Sequence, residues 1–275
     1  SRKGVKSQNH FITSAYTAGL FEDFSKKNDE SEDLRREMSV AEKMANEYGI
    51  EFHKINAVSE DYQSIEEFVY SNEEPVANPS GLLINKICKD ASERGQKILL
   101  TGHGGDEAFG GYRRYSAALL IEKYPRLLSI LSFLAKPFYS TLSNDLYRLF
   151  RASSSKRNLS HISHLSLIGE QYVLEKNYLS KEYSSKTILR EVKSQLNSQV
   201  KKNYSGVQQS MLLDLKGYLP SQNLINADKQ SMNHSIEIRV PFIYKAVVKY
   251  GLNLRVSELL SIKRNKIALR NLGES

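Results

Sequence analysis

At residues 99–115 the chain reads LLTGHGGDEAFGGYRRY, an apolar run that passes directly into five glycines and two adjacent acids. A strand that ends this way brings bare backbone close to something at its carboxyl end. The preceding residues supply the frame. Residues 11–18 read as a strand. Leu34, Met38, Ala41, Ala45 and Tyr48 share one helical stripe, stopped by Gly49. Residues 50–57 form a second predicted strand, and 61–70 a helix. Residues 75–80 turn, and Ser80 caps a helix whose apolar face is Leu83, Ile84, Ile87, Cys88 and Ala91; Gly95 ends it. Residues 97–101 are the third strand. This alternation predicts parallel pairing with right-handed crossovers. Beyond Tyr112, helical patterns dominate as far as Tyr250 with no clear strand. The plainest are 187–200 and 205–217, whereas 153–186 is polar and carries no legible period. The expected architecture is an α/β part over about residues 1–115 and a mainly helical lobe over about 116–275.

In an open parallel sheet, ligands sit beyond the carboxyl ends of the strands. Gly102, Gly104 and Gly105 allow positive φ there, and successive N–H groups attract phosphate or another anion. Asp106 and Glu107 would repel a polyphosphate unless a divalent cation lay between. Mg²⁺, held by one or two carboxylates plus phosphate oxygens, meets that requirement. On spacing alone an equal alternative stands: Asp106 caps the next helix and Glu107 fills its first turn. The stretch is neither a Walker A loop nor a G-x-G-x-x-G turn. A second dense block, LPSQNLINADKQSMNHSIEIRVPF at 219–242, gathers Asp228, Lys229, Glu237 and Arg239. Met232, Ile236 and Val240-Pro241-Phe242 give it an apolar side. It is expected to dock on the core, with Glu237 and Arg239 bracing each other or the nearby loop.

The net charge of +8 comes from 39 Lys+Arg against 31 Asp+Glu spread along the chain, which suits an anionic ligand such as a nucleotide. Cys88 is the single cysteine, so no disulfide framework or thiolate zinc cluster can form, and a reducing, cytoplasmic setting is expected. The longest apolar stretch, LLSILSFLAKPFY at 127–139, is too short to span a bilayer and is broken by Lys136 and Pro137, so no membrane partner is expected. The first residues, SRKGVKSQNH, lack an initiating Met and the apolar core of a signal peptide; the gene is expected to begin upstream. His161 and His164 stand three apart without acidic or cysteine neighbours, which argues against a metal site. His53 is expected to be structural and His234 to face solvent. Arg190, Lys193, Lys201 and Lys202 are expected to form a solvated face. Basic tracts interleaved with aromatics and C-x-x-C pairs are absent from the sequence, which argues against nucleic-acid recognition.

Four ordered stretches resemble the synthetase domain of the glutamine-dependent asparagine synthetase family. The family pattern S-G-x-G-(A/G)-D-E-x-F-G-G-Y-x-R-Y stands here as TGHGGDEAFGGYRRY. D-E-P-x-x-x-P-S stands as Glu73-Glu74-Pro75-Val76-Ala77-Asn78-Pro79-Ser80. V-D-R-x-S-M-x-x-S-x-E-x-R-x-P-F stands as ADKQSMNHSIEIRVPF, and K-x-x-L-R as KIALRNL at 266–272. The resemblance implies an ATP pyrophosphatase-type fold, adenine nucleotide alpha hydrolase-like, a Rossmann-like α/β/α sandwich. It implies ATP and Mg²⁺, an acceptor carboxylate (aspartate or an analogue) activated as an acyl-adenylate, and ammonia delivered by a separate glutaminase domain; a homodimer is the assembly it leaves open. Ala18, Thr101 and Gly102 match positions that contact ATP, in a loop completed by Gly104 and Gly105. Asp106 matches a Mg²⁺ ligand. His103 and Glu107 fall in the catalytic loop, while Asp228, Glu237 and Arg239 match a supporting block.

Departures from the pattern set further expectations. The family's S-G-G-x-D-S loop, its glutaminase domain with a cysteine nucleophile, and its later basic segment with a pyrophosphate-neutralising lysine do not occur in these 275 residues. The chain by itself is therefore expected to make no amide. His103 stands where asparagine synthetases carry Glu or Asp near the acceptor. Histidine can serve as donor, base or cation near neutrality, so an acceptor such as a sugar acid or a peptide side chain competes evenly with aspartate. Two other classes remain: a tRNA-modifying ATP pyrophosphatase, and a remnant without catalytic activity.

Overall fold

A computed structural model describes residues 12, 14–20, 29–57, 65–74, 80–138, 142–154 and 204–274. The predicted turn at 75–79, the helix at 187–200, His161, His164 and the basic residues from 190 to 202 lie outside the described residues. In chain order the elements are β1 (Ser14–Leu20), α1 (Asp29–Tyr48), β2 (Glu51–Ala57), α2 (Ile65–Asn72), α3 (Ser80–Glu93), β3 (Ile98–Leu100), α4 (Gly105–Phe109), α5 (Arg113–Lys123), α6 (Pro125–Ala135) and α7 (Asn144–Ser154). There follow α8 (Gly206–Leu213), a wide π-helical stretch (Asp214–Leu224), α9 (Ile225–Met232), β4 (Glu237–Arg239), α10 (Lys245–Asn253), α11 (Val256–Leu259) and α12 (Ile267–Glu274). They fall into two compact units, Ser1–Thr101 with Gln222–Arg239, and Gly102–Ser221 with Val240–Ser275.

The first unit carries the parallel pairing. β1 pairs with β2 from Ser14 opposite Glu51 to Leu20 opposite Ala57, and β3 pairs with β4 from Ile98 opposite Glu237 to Leu100 opposite Arg239. Among the described residues these are two two-stranded sheets rather than one continuous sheet. Both rest on α3. Cys88, Ala91 and Ile236 are fully buried, with Tyr16, Ile84, Leu99 and Ile238 packed around them. Removal of apolar surface from water favours this packing. The buried thiol of Cys88 is pushed up to about 11, so it stays protonated and serves as a small apolar filler. Gly49 and Gly95 end their helices as expected: the N–H of the following residue reaches back to the carbonyls of Ala45 and Ala91 at 2.8 and 2.9 Å. Tyr48 departs from the predicted stripe and lies exposed, while Met38 and Ala45 point inward.

β4 corrects the expectation of no strand after Tyr112. Three residues with charges at both outward positions carry too little alternation to read as a strand, yet Ile238 supplies the one inward side chain the pairing needs. Glu237 and Arg239 brace each other at 2.8 Å. Before them, α9 docks through polar contacts: Asn85 Nδ2 donates to Gln230 Oε1 at 2.7 Å, and Gln230 Nε2 donates to Ser71 Oγ at 2.9 Å. Gln230 is fully buried, so these bonds satisfy an amide that would otherwise be costly there. Lys229 Nζ donates to the Asn72 carbonyl and to Glu73 Oε2.

The second unit is helical. Its core joins Tyr115 and Ala118 of α5, Ala152 of α7, Val207, Met211 and Leu212 of α8, Leu252 of α10 and Leu259-Leu260. α8 opens on a reciprocal cap in which Gln208 N–H donates to Ser205 Oγ at 3.2 Å and Ser205 N–H to Gln208 Oε1 at 3.0 Å. Directly after α8, Asp214 is 4% exposed and accepts on Oδ2 from Tyr115 Oη at 2.6 Å and Arg114 Nε at 2.9 Å. Burial pushes its pKa up, and Arg114 opposes that shift. Truncating Asp214 leaves a mostly buried guanidinium alone, so Asp214→Ala should cost about 3–5 kcal/mol in urea denaturation. Glu237→Ala, which breaks a fully solvated pair, should leave the midpoint where it is.

Candidate active site

The glycine-rich turn is built by its own hydrogen bonds. Gly105 N–H donates to the Gly102 carbonyl at 3.1 Å, Ala108 N–H to Gly104 at 2.9 Å and Gly111 N–H to Asp106 at 2.9 Å. Gly104, with φ 87°, is the residue that caps α4. This overturns Asp106 as a cap: the left-handed backbone before the helix demands glycine, so Asp106 moves into the first turn beside Glu107. A Cβ on Gly104 would fall on the Ile243 side chain, and Gly105 lies 3.5 Å from the Phe242 ring. The glycines at 104 and 105 are thus required by the closing of Phe242-Ile243 over them. Gly102 differs; it is exposed, and a Cβ there would meet nothing within 4 Å.

Asp106 projects from this turn with about a third of its side chain exposed, and Oδ1 lies 2.9 Å from Lys266 Nζ. Lys266 itself has φ 53°, a left-handed conformation that non-glycine residues rarely adopt. Its carbonyl accepts from Arg270 N–H at 2.9 Å in the first turn of α12. The neighbouring Asn265 donates from Nδ2 to the Gly111 carbonyl at 2.8 Å and accepts from Ser116 Oγ at 3.0 Å. Asn265 and Lys266 therefore staple the segment before α12 onto the turn. Gly111 makes room for the staple: a Cβ there would coincide with the Asp106 carboxylate and strike Lys266.

Glu107 faces the interior. It is 1% exposed, and its Oε1 accepts from Tyr112 Oη at 2.7 Å. Burial raises its pKa, with the Tyr112 bond opposing. The Arg114 guanidinium lies 4.0 Å over the Tyr112 ring and 5.2 Å from that of Tyr218, so the aromatic that holds Glu107 is itself held by the Arg114–Asp214 pair. His103 is half-buried, and burial lowers its pKa below the ordinary histidine value. Burial thus disfavours the charged imidazolium, which favours the donor and base roles over that of a cation.

The sequence-predicted residues are placed as follows. His103, Gly104, Gly105, Asp106 and Glu107 share the turn with Gly102 in the second unit. Ala18 lies in β1 opposite Ile55, and Thr101 follows β3 with its N–H donating to Arg239 at 3.0 Å; both belong to the first unit. Asn265 has no part in the sequence reading; Tyr112 enters it without a site role, within TGHGGDEAFGGYRRY, and Lys266 only as the first residue of KIALRNL. Among the described residues no group of three or more His, Cys, Asp or Glu converges on one point. A magnesium ion held by Asp106 together with phosphate oxygens fits this arrangement; one held by protein side chains alone does not. His53 is buried against Tyr16 at 4.7 Å between rings, in keeping with a structural role. His234 is half-buried rather than solvent-facing, because its loop returns toward β4.

The family model described as asparagine synthase matches residues 8–275. The chain belongs to the asparagine synthase family. The chain is 25% identical over 243 residues to the glutamine-hydrolyzing asparagine synthetase 1 of Bacillus subtilis (strain 168), covering 86% of this chain and 37% of that protein. It is 27% identical over 233 residues to a protein of Mycobacterium tuberculosis (strain ATCC 25618 / H37Rv) provisionally given the same enzyme name, covering 80% and 33%. It is 24% identical over 233 residues to the amidase chyE of Penicillium rubens, covering 79% and 35%. The chain thus spans about a third of the length of these relatives.

Gly111→Ala should separate Asp106 from Lys266 and cost about 1–3 kcal/mol, read as a lowered melting temperature. Gly217→Ala, with open space around it, serves as the unaffected control. The His103 ring should titrate in NMR below the ordinary histidine value. The sign follows from its depressed pKa: this group's contribution to stability is complete above the unfolded pKa and is lost as pH falls through the folded one.

Proposed function

We propose that this chain is the ATP-using, amide-forming part of an asparagine synthetase-like ligase. In this reading an acceptor carboxylate oxygen attacks the α-phosphorus of ATP, and pyrophosphate leaves. Ammonia then attacks the acyl carbon, and AMP leaves with the carboxylate oxygen. A carboxylate is a poor electrophile, and adenylation supplies the leaving group that ammonia alone cannot displace. Ammonia derived from glutamine, a cytoplasmic setting and aspartate as acceptor belong to the same reading. The observation that carries it is the partly exposed Asp106–Lys266 pair on the glycine-rich turn, where only glycine at 111 lets the two side chains meet. Family membership supports it independently.

Each residue has a part in this proposal. Lys266 offers a cation for departing phosphate oxygens. Asp106 holds Mg²⁺, which when bound offsets charge on the triphosphate. Ala18, Thr101 and Gly102 contact the nucleotide, Gly102 with the open face, while Gly104 and Gly105 fix the turn. Glu107, turned inward, holds the turn through Tyr112. His103 stands at the acceptor as a donor or base. A second reading of the acceptor, in which a sugar acid or a peptide side chain replaces aspartate, rests on histidine standing at this position.

Equilibrium dialysis of ATP against the chain tests the reading. Mg²⁺ should tighten ATP binding, Asp106→Asn should remove that increment, and Lys266→Met should weaken binding by roughly tenfold with or without the metal. Equal affinity with and without Mg²⁺ in the unsubstituted chain would overturn it. In a full-length protein, His103→Glu should raise amide formation from aspartate if acceptor choice lies at this position; an unchanged rate argues for aspartate as the native acceptor.

A further inference from the structure

Helix α6 breaks the usual division of a surface helix into an apolar and a polar face. Its inner side is Leu128 and Ser132, both buried, with Ser132 Oγ donating to the Phe150 carbonyl at 2.9 Å. Its outer side is also apolar. Leu127, Ile130, Leu131 and Leu134 follow at i, i+3, i+4 and i+7, and are 54%, 59%, 40% and 62% exposed; Phe133 is 68% exposed. Phe138 and Leu146 extend the exposed patch past the end of the helix and onto α7. A helix that turns most of its large apolar side chains outward is one that something covers.

The charge around the patch says what. From Glu122 to Ser154 the sequence carries five basic residues, Lys123, Arg126, Lys136, Arg148 and Arg151, against two acids, Glu122 and Asp145. Asp145 lies 3.7 Å from a further base, Arg113. At each end of the helix an ammonium lies beside an exposed ring: Lys123 Nζ is 5.3 Å from the Tyr124 ring centroid, and Lys136 Nζ is 5.3 Å from that of Phe133. Aliphatic and Phe side chains outward, with cations flanking them on flexible stems, are the composition of a helix that lies in a lipid interface. Eleven residues rise only about 16 Å, so the helix can lie in the headgroup region but cannot cross the hydrocarbon. A second copy of this chain is the poorer occupant, because a two-fold contact would set the same basic surface against itself.

We propose that α6 and the start of α7 form a docking surface for an anionic lipid bilayer, entered by Leu127, Ile130, Phe133 and Leu134 and steered by Lys123, Arg126, Lys136 and Arg148. This goes beyond the amide-forming reading and does not depend on it. It also departs from the sequence expectation of no membrane partner, which rested on the absence of a spanning segment.

Flotation of the chain with vesicles tests the proposal, using phosphatidylcholine alone and phosphatidylcholine with 30% phosphatidylglycerol, a fraction chosen to give a negative surface of the cytoplasmic-leaflet kind. The chain should float with the anionic vesicles at low salt, and binding should fall roughly tenfold or more between 50 mM and 500 mM salt as the charges are screened. Phe133→Ser with Leu134→Ser, both outward, should abolish flotation while leaving the melting temperature and ATP dialysis unchanged. Arg126→Glu with Lys136→Glu should abolish it as well. Absence of flotation at low salt would overturn the proposal, as would flotation indifferent to both double variants. A sedimentation shift to dimer that the Phe133/Leu134 variant removes, without vesicle binding, would reassign the patch to a second copy.

Discussion

A carboxylate with almost no access to water organises the helical unit. Asp214 takes the hydroxyl of Tyr115 and the guanidinium of Arg114 on a single oxygen. Pairing here is a condition of folding rather than a bonus, since either charge left alone in that position would be costly. The consequence runs outward. Arg114, once fixed, lies on the Tyr112 ring, and Tyr112 reaches the inward acid of the glycine turn. That contact adds a side-chain tie to a turn otherwise held by its own backbone hydrogen bonds and by Phe242-Ile243. The buried pair thus sets the position of residues that have no direct contact with it.

The same turn is held from its other side by the segment that precedes α12. Asn265 meets the backbone at Gly111, and Lys266 meets Asp106. Glycine at 111 is explained by this approach rather than by its own dihedral angles. Opposite charges at a partly exposed site also keep each other available. With about a third of each side chain exposed, neither is fully withdrawn from water.

Much of the first unit was legible because its causes are local. Gly49 and Gly95 stop helices through their own backbone freedom, and the apolar spacing of α3 marks the face that carries Cys88 and Ala91. The errors share a different origin. Asp106 has the side chain of a helix cap, but the preceding glycine had already taken the left-handed position. β4 is three residues long, so alternation had no length over which to appear. Lys266 and Asn265 meet residues far away along the chain, 154 positions in the case of Asn265 and Gly111. No periodicity reports such a contact; only the family segment beginning at Lys266 gave any sign that these residues belonged near the turn. The lipid-facing patch was visible as a string of apolar letters. Its exposure was not, because composition cannot tell an interior helix from an uncovered one.

Lys266 sits in a left-handed backbone at a cost of about 1–3 kcal/mol. Part of that cost is met by the carboxylate it faces, and the same residue supplies the first carbonyl bonded within α12. Backbone tension and charge therefore meet at one residue. A competitor for Asp106 would do more than exchange one ion for another: it would let the lysine uncoil toward an ordinary conformation and loosen the first turn of α12, turning an event of ligand chemistry into a mechanical one.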